Sequence, residues 1–199
     1  QIGEFGVGAA GIEVTVTDLD MRLLATVAFI RENGALTIED SEIKDAVSVW
    51  GDCMTPIFTA DRGADLTLRR TLIDGASVPT GNIPSTKFPL ITGLINGTDG
   101  DLVMDEVSFL NSVGNSAAGI VWTGGTVKVV GSQFDGSSGF WLTGSAMEFV
   151  NSAYRVPPGN AFFRDNIFLG PGATLTTQGS TFYWSAFACN NCNVTKRSG

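Results

Sequence analysis

The chain has 199 residues, a net charge of −8, and only 16% charged residues. That length suits one domain with a substantial core, and the acidic balance speaks against a nucleic-acid or anionic-membrane surface, which needs basic patches. No run of about 20 apolar residues is present, so no helix inserts directly into a membrane. The absence of any histidine removes the commonest general acid or base.

The first residue is Gln1, which reads as a processed chain or a fragment. Residues 1–13 are Gly-rich and form a cap or lead-in. From Val14 onward one pattern recurs seven times: an apolar residue, any residue, an apolar residue, then a further apolar residue five positions on. The copies start at Val14, Leu36, Leu66, Leu102, Val127, Met147 and Leu175, and their late apolar residues are Met21, Ile43, Ile73, Phe109, Phe134, Tyr154 and Phe182. Apolar residues two apart share one face of a strand. A fixed core with a variable remainder is the signature of a solenoid whose insertions lie in loops. Ser or Thr recurs between the strands as Ser41, Thr71, Ser132, Ser152 and Ser180, with Leu19 and Val107 in the other two copies; small side chains suit an inward bend.

Residues 18–32 can be written as an amphipathic helix, but their β-branched content and the repeat favour strands, with Leu23 to Ile30 as a buried strand. Turn chemistry precedes the repeat starts at Asn33-Gly34, Arg62-Gly63, Asp99-Gly100 and Pro171-Gly172. The longest excursion, Gly75 to Pro89, is Pro-rich and polar and reads as a surface loop; Val156 to Asn160 is a shorter one. Gly119 to Gly124 aligns with Gly139 to Gly144, which sets Trp122 and Trp141 one step apart and on opposite faces. The β-helix runs from 14 to 188, and 189–199 is a polar tail carrying Cys189-Asn190-Asn191-Cys192.

Stacked coils bring equivalent residues to about 4.8 Å. The columns Glu39-Arg69-Asp105 and Asp40-Arg70-Glu106 then alternate in sign, as do Lys44-Asp74, Lys128-Glu148 and Asp135-Arg155, whereas Arg22 meets Lys44.

Segments such as Ala35 to Ile43 and Val129 to Phe134 resemble coils of the pectin-lyase-like superfamily, in particular surface adhesins and polymorphic outer-membrane proteins. The resemblance implies an all-β fold, a single-stranded right-handed parallel β-helix of about seven coils. It specifies fold better than function, because this scaffold hosts lyases, hydrolases, tailspikes and inert stalks.

Family hydrolases need clustered Asp residues and family lyases need converging acidic Ca²⁺ ligands. Here Arg69 and Arg70 lie between the acidic pairs Glu39-Asp40 and Asp105-Glu106, so a salt ladder fits better than a cation site. Asp135 and Asp165 are a glycosidase pair only if their coils adjoin. The expectation is therefore no catalytic residue, no metal and no cofactor. Cys189 and Cys192 are read as a structural disulfide, since a zinc site lacks ligands. Asn96 and Asn193 head candidate N-glycosylation sequons. Exposed Trp among Trp50, Trp122, Trp141 and Trp184 would stack on sugar rings. Thr80, Asn82, Thr86, Lys87 and Phe88 in the long excursion are the expected partner contacts. The function expected is a non-catalytic structural or adhesive module, extracellular or on the cell surface, that meets a surface glycan or a protein partner in a larger assembly. The alternatives are a polysaccharide lyase or glycoside hydrolase, and a subunit of an appendage, tailspike or membrane complex.

Overall fold

A computed structural model describes residues 5–7, 11–22, 27–47, 56–77, 93–112, 118–137, 139–155, 167–183 and 187–198. Trp50, Cys53, Thr80, Asn82, Thr86, Lys87, Phe88, Asp165 and Trp184 lie outside these residues, and the expectations placed on them fall there too.

Three short strands make each coil. The first coil is β1 (Phe5–Val7), β2 (Glu13–Thr17) and β3 (Asp20–Arg22); the second is β4 (Ala28–Ile30), β5 (Ala35–Glu39) and β6 (Glu42–Lys44). The third is β7 (Phe58–Ala60), β8 (Asp65–Arg69) and β9 (Leu72–Asp74), and the fourth β10 (Ile95–Thr98), β11 (Asp101–Asp105) and β12 (Ser108–Leu110). Then follow β13 (Ala118–Thr123), β14 (Thr126–Val130) and β15 (Gln133–Asp135), and β16 (Gly139–Thr143), β17 (Ala146–Val150) and β18 (Ala153–Arg155). The seventh is β19 (Ile167–Leu169), β20 (Thr174–Gln178) and β21 (Thr181–Tyr183), and β22 (Phe187–Cys189) and β23 (Asn193–Arg197) begin an eighth.

First strands stack into an eight-stranded sheet A, second strands into an eight-stranded sheet B and third strands into a seven-stranded sheet C, every pairing parallel. This is the expected parallel β-helix. The sequence column Val14, Leu36, Leu66, Leu102, Val127, Met147, Leu175 is one physical column in sheet B, and Val194 extends it. The late apolar residues form the matching column of sheet C. The first copy is in register as well: Arg22 does lie beside Lys44. The like charges are tolerated because each turns to an acid two residues back on its own strand face, Arg22 to Asp20 at 3.2 Å and Lys44 to Glu42. Within 18–32, Asp20–Arg22 and Ala28–Ile30 form β3 and β4, and none of the described residues is helical.

The ends differ from expectation. β1 already pairs with β4, so the ladder starts before residue 14. The polar tail is ordered over 193–197, because β23 pairs along its full length with β20.

Two residues separate every sheet B strand from the sheet C strand that follows. The first of them has φ between 44° and 59° in all seven coils: Asp18, Asp40, Arg70, Glu106, Gly131, Asn151 and Gly179. This left-handed backbone suits Gly, Asn and Asp and strains Arg70 and Glu106. The second is the small-residue column, whose hydroxyls are structural. The amide N–H groups of Leu19, Val107, Ser132 and Ser152 donate to Oγ of Ser41, Ser132, Ser152 and Ser180 in the next coil, at 3.0–3.1 Å. Each of those hydroxyls donates in turn to the carbonyl two residues back, at 2.6–3.0 Å. Such a bend satisfies buried backbone groups that no ladder reaches.

Inside, the three sheets enclose one column of apolar side chains with Phe109, Phe134, Phe140, Phe149 and Tyr154 in mutual ring contact. Each fully buried Leu, Ile or Phe contributes about 1.5–3 kcal/mol relative to exposure, against about 0–1 kcal/mol for an exposed ion pair. The core columns therefore hold the fold, and the outer charges adjust to it. Burial also pushes the Tyr154 phenol above its ordinary pKa, with its hydroxyl 3.3 Å from the Ser137 carbonyl.

Candidate functional site

Coil length varies most at one corner. Between 3 and 20 residues separate a sheet C strand from the following sheet A strand, against two to five from sheet A to sheet B. The long insertions thus enter between sheet C and sheet A. The long excursion read from the sequence, Gly75 to Pro89, falls between β9 and β10, and its expected contacts Thr80, Asn82, Thr86, Lys87 and Phe88 lie outside the described residues.

The outer face of sheet A adjoins that corner. Its central column runs Phe29, Thr59, Asn96, Val121, Trp141, Phe168 and Ala188 across seven successive coils. Trp141 and Phe168 stack at 4.0 Å with a 27° interplanar angle, and the Arg31 guanidinium lies 4.5 Å over the Phe29 ring. Trp122, one step away, is fully buried, and its indole Nε1–H donates to the Gly100 carbonyl at 2.9 Å. The opposite-face reading of the two tryptophans therefore holds.

Between Phe29 and Trp141 lies an open groove of about 320 Å³ lined by Thr59, Asp61, Arg62, Asn96, Thr98, Val121 and Thr123. Asp61 faces Arg31 at 3.7 Å, and Arg62 faces Asp99 at 3.5 Å. Hydroxyls, one amide and paired charges beside an aromatic platform can hold a polyol through hydrogen bonds and ring stacking. The sequence gives little warning of this groove, because its residues come from coils separated by variable insertions. The aligned Gly119 to Gly124 and Gly139 to Gly144 segments are its one sequence signal.

The expected salt ladder forms on one side only. Arg70 holds Asp40 in a two-point contact at 2.6 and 2.9 Å, and Arg69 meets Glu39 at 3.1 Å. The Arg70 hydrogen bonds hold the Asp40 carboxyl below its usual range, and Asp40 raises Arg70 in return. Both arginines turn to the second coil. Asp105 and Glu106 adjoin them in register without an ion pair among the described residues. The alternation in sign is real, but the pairing is one-sided. Lys44 likewise chooses Glu42, while Asp74 accepts from Asn111 Nδ2 at 2.9 Å. Asp135 and Arg155 do meet, at 3.9 Å.

One carboxylate pair escaped the sequence reading. Asp65 and Asp101 are neighbours in adjacent coils, the Asp101 N–H donating to Asp65 Oδ1 at 2.8 Å and Thr126 Oγ1 donating to Asp101 Oδ1 at 2.7 Å. Among the described residues no group of three or more potential metal ligands comes together.

Cys189 and Cys192 are joined as a disulfide with Cα atoms 5.6 Å apart, the pairing expected from the sequence. The two sequons differ. Asn193 is exposed at the start of edge strand β23, whereas Asn96 is half-buried in the middle of sheet A and accepts the Gly93 N–H through Oδ1 at 2.9 Å.

No protein-family model matches the chain, and no curated protein matches it. Among solved structures it is similar to HetL, a pentapeptide repeat protein involved in heterocyst differentiation regulation from the cyanobacterium Nostoc sp. strain PCC 7120. Identity is 10%, the similarity covers 94% of this chain and 88% of that chain, and the TM-score is 0.20. A TM-score that low carries no inference about this chain.

Proposed function

We propose that this protein is a non-catalytic parallel β-helix module of the pectin-lyase-like type, extracellular or on the cell surface. Its role is structural or adhesive. It meets a glycan or a protein partner through the outer face of sheet A and the variable corner beside it, including Thr80, Asn82, Thr86, Lys87 and Phe88. The observation that carries this reading is the groove between Phe29 and Trp141, whose Asp61 and neighbouring Asp99 each face an arginine. Carboxylates so paired are poorly placed to act as a free acid and base on a glycoside. The absence of histidine supports the same reading, and the Cys189–Cys192 disulfide supports an oxidising location.

The test is a panel of neutral and uronate polysaccharides, with and without Ca²⁺, scored for binding and for depolymerisation. The expected result is binding that weakens at least tenfold in Trp141→Ala, with no new chain ends. Depolymerisation abolished by Asp61→Asn or Asp99→Asn would establish the lyase or hydrolase alternative.

A further inference from the structure

We infer that the groove on sheet A takes a neutral glycan, a chain of uncharged sugar rings, and discriminates against uronates. This rests on the reading of that face as a binding surface and adds which sugars it admits. The groove has a simple cause in the sequence. Its floor carries the short side chains Thr59, Asn96 and Val121 in three successive coils. Phe29 with Arg31 stands before them, and Trp141 with Phe168 stands after them. Four strand spacings of about 4.8 Å separate Phe29 from Trp141, roughly 19 Å in all, so the trough runs along the solenoid axis. Phe168 covers one face of the Trp141 indole, which leaves the other face toward Val121 and the groove.

The charges decide the class of sugar. Arg31 faces Asp61 at 3.7 Å, and Arg62 faces Asp99 at 3.5 Å. Each guanidinium is already matched by a carboxylate, and the two positive and two negative charges cancel. A uronate brings a carboxylate that needs a cation of its own. Here it meets Asp61 and Asp99 instead, on a chain of net charge −8. A neutral sugar meets no such cost. Its hydroxyls can donate to the Asp61 carboxylate and accept from Asn96. The Asn96 Oδ1 is taken by the Gly93 N–H at 2.9 Å, so Nδ2 is the end left to donate. Thr59, Thr98 and Thr123 add hydroxyls along the lining, and the apolar face of a sugar ring stacks on Trp141.

Isothermal titration calorimetry with oligosaccharides of equal length tests this. The neutral probes are gluco-, manno- and xylo-oligosaccharides, and the acidic probes are oligogalacturonate and oligomannuronate. Three chains are compared: unaltered, Trp141→Ala, and Asp61→Asn/Asp99→Asn, which frees both arginines. Asn suits the left-handed backbone at Asp99, where φ is 58°, because Asn33 and Asn191 hold 56° and 55° at like turns between sheets A and B. At least one neutral oligosaccharide is expected to bind the unaltered chain at least tenfold tighter than either uronate, and to weaken at least tenfold in Trp141→Ala. In the double variant the uronates are expected to gain at least tenfold, because selectivity is a difference of affinities. Uronate binding as tight as neutral binding in the unaltered chain, and sensitive to Trp141→Ala, would overturn the inference and leave the binding surface standing. Uronate binding that gains nothing in the double variant would overturn it too. Binding of no oligosaccharide, or binding indifferent to Trp141→Ala, would remove the surface itself and the inference with it.

Discussion

The six-membered ring of Trp122 fills the place that a side chain at Gly97 would need. The two residues are neighbours in sheet A, and a Cβ built on Gly97 would lie 2.2 Å from two of the ring carbons. Trp122 cannot swing away, because it is fully buried and its Nε1–H is held by Gly100 O. Gly97 is therefore a packing partner of the indole.

Gly97→Ala is expected to destabilise by about 1–3 kcal/mol, the usual cost of overpacking a core. The equivalent position in the next two coils holds Leu142 and Leu169, so Trp122→Leu should relieve the clash. A double-mutant cycle by urea unfolding checks this: Gly97→Ala should cost clearly less in the Trp122→Leu background. Equal costs in both backgrounds would contradict the relationship.

The hydroxyl column makes a second expectation. Ser132 Oγ accepts the Val107 N–H and donates to Val130 O in a buried bend. Ser132→Ala leaves the buried Val107 N–H unsatisfied, while Val130 O keeps the Glu106 N–H at 2.9 Å, and should cost about 1–3 kcal/mol. Ser180, half-buried near the last coil, should tolerate the same change with a smaller loss of the urea midpoint.

Much of this fold was legible in the sequence, because the turn from sheet B to sheet C is always two residues long. That constancy keeps Val14 and Met21, or Leu66 and Ile73, seven apart in every copy. Sheet A was nearly invisible, since Phe58, Ile95 and Ile167 each follow an insertion of different length. The eighth coil was missed because Lys196 stands at the second inward position, where the other copies carry an uncharged residue. Register predicted which charges adjoin, but not that Arg69, Arg70 and Lys44 would reach for Glu39, Asp40 and Glu42. Side-chain length and rotamer choose among neighbours that register leaves equal. Of the candidate site, the outward Trp141 and the cysteine pair could be read, whereas the groove around Asn96 could not.

The Asp40–Arg70 contact predicts a sign for pH dependence. The folded-state pKa of Asp40 is lowered, first by the Arg70 hydrogen bonds. Its contribution is fully present above the ordinary aspartate pKa of about 4 and is lost as pH falls through the lower folded value. Titration of Asp40 by carboxyl NMR should show the depressed midpoint, and Arg70→Ala should return it to the ordinary range. An unshifted midpoint in the parent protein would contradict the contact.

Arg69→Glu places like charges beside Glu39 and Asp105 on an exposed face. Exposed pairs contribute about 0–1 kcal/mol, so the melting temperature should fall by a few degrees with the circular dichroism spectrum unchanged. Loss of the fold would mean that this position carries far more than its surface pairing.

The groove, the variable corner and the hydroxyl column all depend on one in-register parallel stack, and cross-linking between coils measures it most directly. Thr37 and Thr67 are direct neighbours on the outer face of sheets stacked in register. In a Cys53→Ser background, Thr37→Cys/Thr67→Cys should oxidise to a cross-link found by peptide mapping, since adjacent strands bring Cα atoms within about 4.4–6.8 Å. Thr37→Cys/Arg69→Cys, slipped by two residues, and Thr15→Cys/Thr67→Cys, two coils apart, should stay reduced. A cross-link in either of these with none between 37 and 67 would contradict the register and everything built on it.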